Sequence, residues 1–212
     1  GFDSWYAYLN CGFNLAPIAG TANGVHPNPL GHSRLYVQLH DEPGNSRGPG
    51  GSPVGSSVDR AGGPPAPRLS AKSWQHAMLA GRSFVTTGPI LFFHAGGQPP
   101  GGEIRAGGPT RVTAHVQLLS LAKPERIEVV RGGDVVHTFR SDVSRGDDGV
   151  YRFDDSIDVP VDSTTYLAAR AFVEPPDRTT VRFAHSGIVR VTVPGKPLLP
   201  RKFEVGHFLR RV

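Results

Sequence analysis

The feature that most constrains this chain is a succession of short strand patterns, separated by turn residues, with no helical pattern between them. The clearest is Arg111 to Leu119, in which every second residue is apolar, a period that places those residues on one face of a strand. About eight such patterns recur over the second half of the chain, and short antiparallel strands without intervening helices are typical of a β-sandwich. We therefore predict a mainly β protein with a C-terminal antiparallel, immunoglobulin-like β-sandwich.

The predicted strands are Ser83 to Thr87, Ile90 to His94, Arg111 to Leu119, Arg126 to Arg131, Asp134 to Phe139, Val150 to Val159, Thr165 to Phe172 and Gly187 to Val193. Gly132-Gly133 is suited to a two-residue hairpin turn, which requires positive φ at both positions. Ahead of the strands, Leu69 to Ala80 is predicted to be a helix with Ser70 as its N-cap and Gly81 at its end.

The composition changes abruptly between Asp41 and Arg68, where Gly, Pro and Ser fill most positions. Such a segment buries too little apolar surface to offset the entropy of ordering it. We predict a linker at residues 41–68 that separates a first region, residues 1–40, from a second, residues 69–212. In the first region, Asp3 to Gly12 has the pattern of a capped amphipathic helix, while Ile18 to Thr21 and Ser33 to Leu39 are predicted to be strands.

The formal net charge of +5 and the pI near 9.7 raise the question of nucleic-acid binding. The cations are scattered among carboxylates, and the local cluster lies in a basic C-terminal tail with Arg201-Lys202 and Arg210-Arg211. Phosphate recognition needs a contiguous field of cations, so we predict no nucleic-acid partner. No apolar run approaches the ~18 residues of a membrane helix, so we predict no membrane span. The single cysteine, Cys11, excludes an intramolecular disulfide framework.

Three stretches of the sequence resemble one family when taken in order. They are Trp5-Tyr6-Ala7-Tyr8-Leu9-Asn10-Cys11-Gly12-Phe13 with Ile18-Ala19-Gly20-Thr21, then Gly81-Arg82-Ser83-Phe84-Val85-Thr86-Thr87-Gly88-Pro89-Ile90-Leu91, then Arg170-Ala171-Phe172 with Phe183-Ala184-His185-Ser186. Together they resemble the C-terminal half of carbaryl-hydrolase-like (CehA/McbA-type) metallohydrolases of the PHP superfamily.

This resemblance implies a distorted (β/α) barrel, in which His and Asp side chains hold divalent zinc or manganese, followed by a β-sandwich. The metals activate a water that attacks a small ester, carbamate or phosphoester substrate. Residues 1–40 would then be a short α/β remnant of the barrel, against which an upstream half of the barrel is expected to pack. The chain starts at Gly1, and we expect that start to be a cut. The resemblance also implies a bacterial protein, of a kind often exported to the periplasm or beyond.

The departures from the family concern the metal ligands. No His-x-His pair occurs in the chain, and Ala22 stands where the family usually has a ligand Asp. His26 and His32 follow the barrel-like segment and are the candidate metal ligands, although two imidazoles without a carboxylate make a poor divalent site. We therefore expect no tightly bound metal and no efficient hydrolysis by this chain alone.

Three further features have a functional and a structural interpretation. His185 is predicted to pack or hydrogen-bond at a strand end. Arg82 is predicted to satisfy helix carbonyls or pair with a carboxylate, with substrate binding as the alternative. Gly44-Asn45-Ser46-Arg47-Gly48 matches the nucleophile-elbow pattern, but Pro49 forbids the helix that this motif needs.

Three functional hypotheses follow. The first is the C-terminal portion of a PHP-superfamily metal-dependent hydrolase, inactive as this isolated chain. The second is a non-catalytic β-sandwich that binds a partner, and the third is a degenerate paralogue that has lost the metal. A partner-binding module should expose an apolar patch on one sheet face or loop cluster, whereas an incomplete enzyme should expose apolar surface between Ile18 and Leu39.

Overall fold

A computed structural model of the chain describes residues 2–21, 29–39, 70–140, 143–175 and 180–209. Its helices are α1 (Phe2–Asn10), α2 (Ala71–Leu79) and α3 (Lys202–Leu209). Its strands are β1 (Arg34–Val37), β2 (Ser83–Thr86), β3 (Ile90–Ala95), β4 (Glu103–Arg105), β5 (Thr110–Ser120), β6 (Pro124–Arg131), β7 (Asp134–Phe139), β8 (Tyr151–Val161), β9 (Thr165–Val173), β10 (Arg182–Ser186) and β11 (Val189–Thr192).

The strands form two sheets. In the smaller one, β5 pairs antiparallel with β3 on one side and with β8 on the other. In the larger one, β9 has β6 on one side and both β10 and β11 on the other. The strand β6 continues into the hairpin with β7, β10 continues to β2 and β1, and β11 continues to β4. The segment before residue 40 therefore supplies an edge strand of this sheet.

The two sheets share one hydrophobic core. The alternating apolar residues of β5 contribute Val112, Ala114, Val116 and Leu118, all fully or almost fully buried. They pack in one cluster with apolar residues of the larger sheet, among them Ile127, Val129, Leu167, Ala169 and Val191. Residues 83–193, which hold this core, are called the β module below. The mainly β character predicted from the strand pattern is confirmed.

A second, smaller core holds α1 against the outer face of the larger sheet. Tyr6 and Leu9 of the helix pack there with Tyr166 and Ala168 of β9 and with Val130 of β6. The helix α3 lies beside α1, to which it is joined by a hydrogen bond from Asn10 Nδ2 to Glu204 Oε1 of 2.7 Å. The sheet thus has apolar contacts on both faces at β9, which explains why this strand is buried along most of its length.

Several local predictions are confirmed. Ser70 caps α2 by accepting a hydrogen bond from Ser73 N, and the pairing of Arg131 with Asp134 makes Gly132-Gly133 a two-residue hairpin turn. Both glycines of this turn have positive φ, at 59° and 94°, as the predicted turn type demands.

Other predictions need correction. The larger sheet is mixed rather than antiparallel, because β4 runs parallel to β11 after the Gly101-Gly102 turn lays it along that strand. The basic tail contains the helix α3, whose Glu204 is buried against α1. Ile18 lies in an irregular segment and is 74% exposed, so the buried strand predicted at Ile18 to Thr21 is wrong. The predicted linker, residues 41–68, lies outside the described residues.

In the part of the chain that the structure describes, no helix has the length and apolarity that crossing a membrane requires.

Candidate functional site

Of the two candidate metal ligands, only His32 lies within the described residues. His32 lies in the turn before β1, half-buried, and its backbone N–H donates to Pro29 O at 3.1 Å. His26, Ala22 and the nucleophile-elbow match at 44–48 lie outside the described residues. Among residues 2–21, 29–39, 70–140, 143–175 and 180–209, no three His, Cys, Asp or Glu side chains are grouped so that they could hold a metal. The donor set described here does not fit a divalent metal centre.

Among the described residues, the most deeply buried polar side chain is that of His185 in β10, which is covered by α1. Its Nδ1 lies 2.8 Å from Ser186 O, and its Nε2 lies 2.5 Å from the hydroxyl of Tyr6. A carbonyl only accepts, so Nδ1 carries the proton and Nε2 accepts from the Tyr6 O–H. This places His185 at a strand end in the packing and hydrogen-bonding role predicted from the sequence.

The surroundings keep both members of this pair neutral. Burial lowers the pKa of His185 to about 4, opposed by its hydrogen bond to Ser186 and assisted by the positive charge of Arg170. Burial also raises the pKa of Tyr6 to about 12, although Arg170 acts in the opposite direction. The rings of Phe2 and Trp5 cover the imidazole, with centroids at 4.6 Å and 5.2 Å from it. Within the described structure His185 is 0% exposed, and it acts there as a fixed hydrogen-bonded contact.

A buried ion pair extends this contact across the sheet. Arg170 Nε donates to Glu128 Oε2 at 2.6 Å, and Arg170 Nη1 lies 3.5 Å from the Tyr6 hydroxyl. The strand register brings these side chains together. Arg170 of β9 pairs with His185 of β10 on one side and with Glu128 of β6 on the other. The ion pair and the Tyr6–His185 pair therefore form one polar network, which fixes α1 to three strands.

Sequence reasoning missed Tyr6, Glu128 and Arg170 as members of this network. A signal for Arg170 was present, because it is a charged residue inside the apolar run Tyr166 to Val173 and belongs to one of the family-like stretches. A charge in such a run is expected to be paired when the strand is buried. The identity of its partner follows only from the strand register.

Among the described residues, the Nε of Arg82 has neither of the structural partners predicted for it. Its backbone N–H donates to Ala77 O, but the buried Nε of its guanidinium has no hydrogen-bond partner among the described residues. The side chain lines a cavity between β1, β2 and β3 whose other walls are mostly apolar or aromatic. The neighbouring Ser83, 4% exposed, is also among the lining residues, and its buried hydroxyl has no hydrogen-bond partner among the described residues. The alternative, substrate binding by Arg82, stays a prediction.

The irregular part of the N-terminal segment exposes large apolar side chains. Phe13 is 52% exposed, Ile18 74% and Leu30 80%. The segment is nevertheless held in place: Trp5 Nε1 donates to Leu15 O at 3.0 Å, and Ser33 N donates to the Thr21 hydroxyl at 2.9 Å. These three exposed side chains, called the N-terminal apolar surface below, belong to a segment tied to α1 and β1.

Comparison with known proteins gives little that bears on function. No protein-family description matches the chain, and no solved structure matches it. An uncharacterized protein of Chlamydia pneumoniae is 31% identical to the chain over 106 residues. The aligned part amounts to 46% of this chain but 16% of the Chlamydia protein, so the chain spans about a sixth of that relative.

Proposed function

We propose that the chain is the C-terminal portion of a metal-dependent hydrolase of the PHP superfamily, in which the β module is an immunoglobulin-like sandwich that supports or frames the catalytic barrel. In this proposal, residues 2–39 belong to the junction with that barrel. The metal ions of the barrel would supply activated water for ester, carbamate or phosphoester hydrolysis. The described residues of this chain do not fit a metal centre, and none of them is assigned a catalytic step.

The observation that supports this proposal best is the N-terminal apolar surface. Ile18 and Leu30 lie in the region, Ile18 to Leu39, where an incomplete enzyme is expected to expose apolar side chains, and the exposed Phe13 precedes it. Contiguous exposed apolar surface on a soluble domain marks a site where another domain or a partner packs. A barrel that packs on this surface would bury it.

The polar network under α1 gives the junction its rigidity. Because Tyr6 is joined to His185 and lies beside Arg170, a movement of α1 away from the sheet would leave buried polar groups unpaired. The helix is therefore held in one orientation relative to the β module. A framing role for the β module needs such a fixed connection. The Chlamydia relative, of which the aligned part is 16%, also shows a related segment within a longer chain.

The test uses the gene region that surrounds these 212 residues. The longer protein should contain a His-x-His pair ahead of Gly1, retain divalent zinc or manganese after dialysis, and hydrolyse aryl ester or phosphoester substrates. Hydrogen exchange of residues 13–37 should be slower in the longer protein than in the 212-residue chain. A longer protein without these ligands, or with the same exchange in this segment, would overturn the proposal.

A matched pair of substitutions locates the contact. Ile18→Asp should lower the stability of the longer protein by several kcal/mol, because it would place a charge in a buried interface, and should leave the 212-residue chain unchanged. Leu121→Asp is the control, since Leu121 is 76% exposed on the β module, and it should affect neither protein. Equal effects of the two substitutions in the longer protein would contradict the packing of a barrel on this surface.

A second candidate function is a non-catalytic module that binds a partner or ligand. The observation that favours it is the aromatic cavity beside Arg82, which lies in the β module and its edge strand and depends on no upstream domain. One measurement on the 212-residue chain distinguishes the two candidate functions. A binding module should retain its ligand affinity in the 212-residue chain, whereas the hydrolase proposal requires activity only of the longer protein.

A further inference from the structure

The helix α3 contacts the rest of the protein through a carboxylate and exposes apolar side chains. Of its described side chains, that of Glu204 is buried, whereas Phe203 is 65% exposed and Leu209 is 72% exposed. A helix at a protein surface normally turns apolar residues to the core and charged residues to water. The reverse arrangement in α3 indicates that its outer side meets a surface other than water.

Hydrogen bonds fix the orientation of this helix. Both carboxylate oxygens of Glu204 are engaged, because Oε1 accepts from Asn10 Nδ2 and Oε2 accepts from the backbone N–H of Arg201, each at 2.7 Å. Asn10 Nδ2 also donates to Gly132 O, in the turn between β6 and β7, at 3.0 Å. The carboxylate therefore ties α3 to α1 and to the β module, and its negative charge is turned away from the outer side of the helix.

The segment that contains α3 is basic, and its single carboxylate is the buried one. Residues 196–212 hold five Lys or Arg residues and one acidic residue, Glu204. Arg201 is paired with Asp134 at 2.6 Å, whereas both lysines of the segment are exposed. Every exposed side chain in the described part of this segment is either cationic or apolar. The segment is thus complementary to a surface that offers both negative charge and an apolar layer.

The surface of a membrane with anionic lipids offers this combination. Its phosphate groups attract Lys and Arg, and its interfacial layer takes up Phe and Leu side chains. On the helical period, Phe203 and Leu209 lie about 60° to either side of Gly206, so both can reach one flat surface. Leu199, just before the helix, is 75% exposed. A nucleic acid would pair with the cations but would leave these apolar side chains in water.

We propose that α3 and the residues just before it bind the surface of a membrane that contains anionic lipids. Phe203 and Leu209 enter the interfacial layer, Lys196 and Lys202 pair with lipid phosphates, and Glu204 stays against α1. This function is independent of the hydrolase proposal, because it needs neither a metal nor an upstream domain.

The first experiment measures sedimentation of the 212-residue chain with vesicles of equal parts phosphatidylglycerol and phosphatidylcholine, or of phosphatidylcholine alone. The mixed vesicles should bind the chain much more tightly than the neutral ones, and added salt should weaken the binding because it screens exposed charges. Lys202→Gln should weaken binding to the mixed vesicles about fivefold, the contribution of one cation near an anionic surface. Lys72→Gln is the matched control, because Lys72 is an exposed lysine on α2, and it should have no effect.

A second pair of variants tests the apolar contact at constant charge. Phe203→Ser should weaken binding to the mixed vesicles several-fold, because the ring no longer enters the interfacial layer. Leu121→Ser is the control, since Leu121 is 76% exposed on the β module, and it should bind like the original chain. Both residues are exposed, so circular dichroism should show both variants folded.

Four results would overturn the proposal. The first is no binding to the mixed vesicles, and the second is equal binding to the neutral ones. The third is an effect of Lys202→Gln without an effect of Phe203→Ser, which would mean that the segment attracts any polyanion. The fourth is vesicle binding by the 212-residue chain that is lost in the longer protein, which would mean that another domain covers α3.

Discussion

Replacing Tyr6 by Phe isolates one hydrogen bond at the junction between α1 and the β module. The substitution keeps the ring, which is 3% exposed and packed in the second core, and removes only the hydroxyl that donates to His185 Nε2 at 2.5 Å. No cavity larger than one oxygen atom is created. The change in stability therefore reports the hydrogen bond rather than a loss of apolar packing.

The magnitude follows from what the substitution leaves behind. His185 is fully buried, and its Nδ1 is already committed to Ser186 O, so Nε2 becomes a buried acceptor without a donor. An unsatisfied buried group of this kind costs about 1–3 kcal/mol. Arg170 adds little, since its 3.5 Å contact with the hydroxyl is long and its main partner is Glu128. We expect Tyr6→Phe to lower the free energy of unfolding by about 2 kcal/mol.

The assay is urea unfolding, followed both by circular dichroism and by tryptophan fluorescence. Trp5 is a local reporter because its ring lies 5.2 Å from that of His185. Tyr36→Phe is the matched control: Tyr36 is 40% exposed, so removal of its hydroxyl should change stability by less than about 0.5 kcal/mol. If the two substitutions have the same small effect, the Tyr6–His185 bond does not stabilise the junction and the rigidity argued for α1 fails.

Two other predictions concern the same chain. The free energy of unfolding should fall by roughly 3 kcal/mol between pH 6.5 and pH 4, because the unfolded chain protonates His185 at its ordinary pKa while burial holds the folded pKa near 4. The loss occurs as the pH falls, and a His185→Gln variant measured across the same pH range should lack this component. Gly101→Ala should destabilise by about 2 kcal/mol or more, since a Cβ there would lie 2.1 Å from Ala80 O at a φ of 83°. Gly107→Ala is its control, with no atom within 4 Å of the added Cβ, and a thermal melt that shows equal losses would refute the steric argument.

The parts of the fold that could be predicted from sequence are those determined by local chemistry. The alternation at Arg111 to Leu119 predicted β5, and the Gly132-Gly133 pair predicted a hairpin, because a period of two and a positive φ depend on adjacent residues. The strand β10 was missed, since its last three residues, Ala184, His185 and Ser186, are all buried and show no alternation. The helix α3 was missed for another reason: its Glu204 is stabilised by Asn10, which is 194 residues away in the chain.

The candidate sites also divide into features that adjacent residues determine and features that depend on tertiary contacts. His185 was recognised as a packing residue from its strand-end position, but Tyr6 lies 179 residues from it and no local pattern links the two. For Arg82, the sequence offered helix carbonyls, a carboxylate or a substrate as partners. The absence of a partner among the described residues is a tertiary property, because it depends on which side chains the strands β1, β2 and β3 place around the guanidinium.

The family-like run from Gly81 to Pro89 contains residues with structural roles and residues without one. Gly81 ends α2 at a φ of 75°, and the Thr86 hydroxyl donates to Pro89 O and accepts from Gly88 N. Similar residues at these positions would recur wherever the chain passes from such a helix through β2 of one sheet into β3 of the other, whatever the protein does. The polar side chains of Arg82 and Ser83 are different, because the fold uses neither in a hydrogen bond to the described residues. The part of this run that the hydrogen bonds of the fold leave unexplained is therefore the Arg82-Ser83 pair, and both residues are among those that line the aromatic cavity.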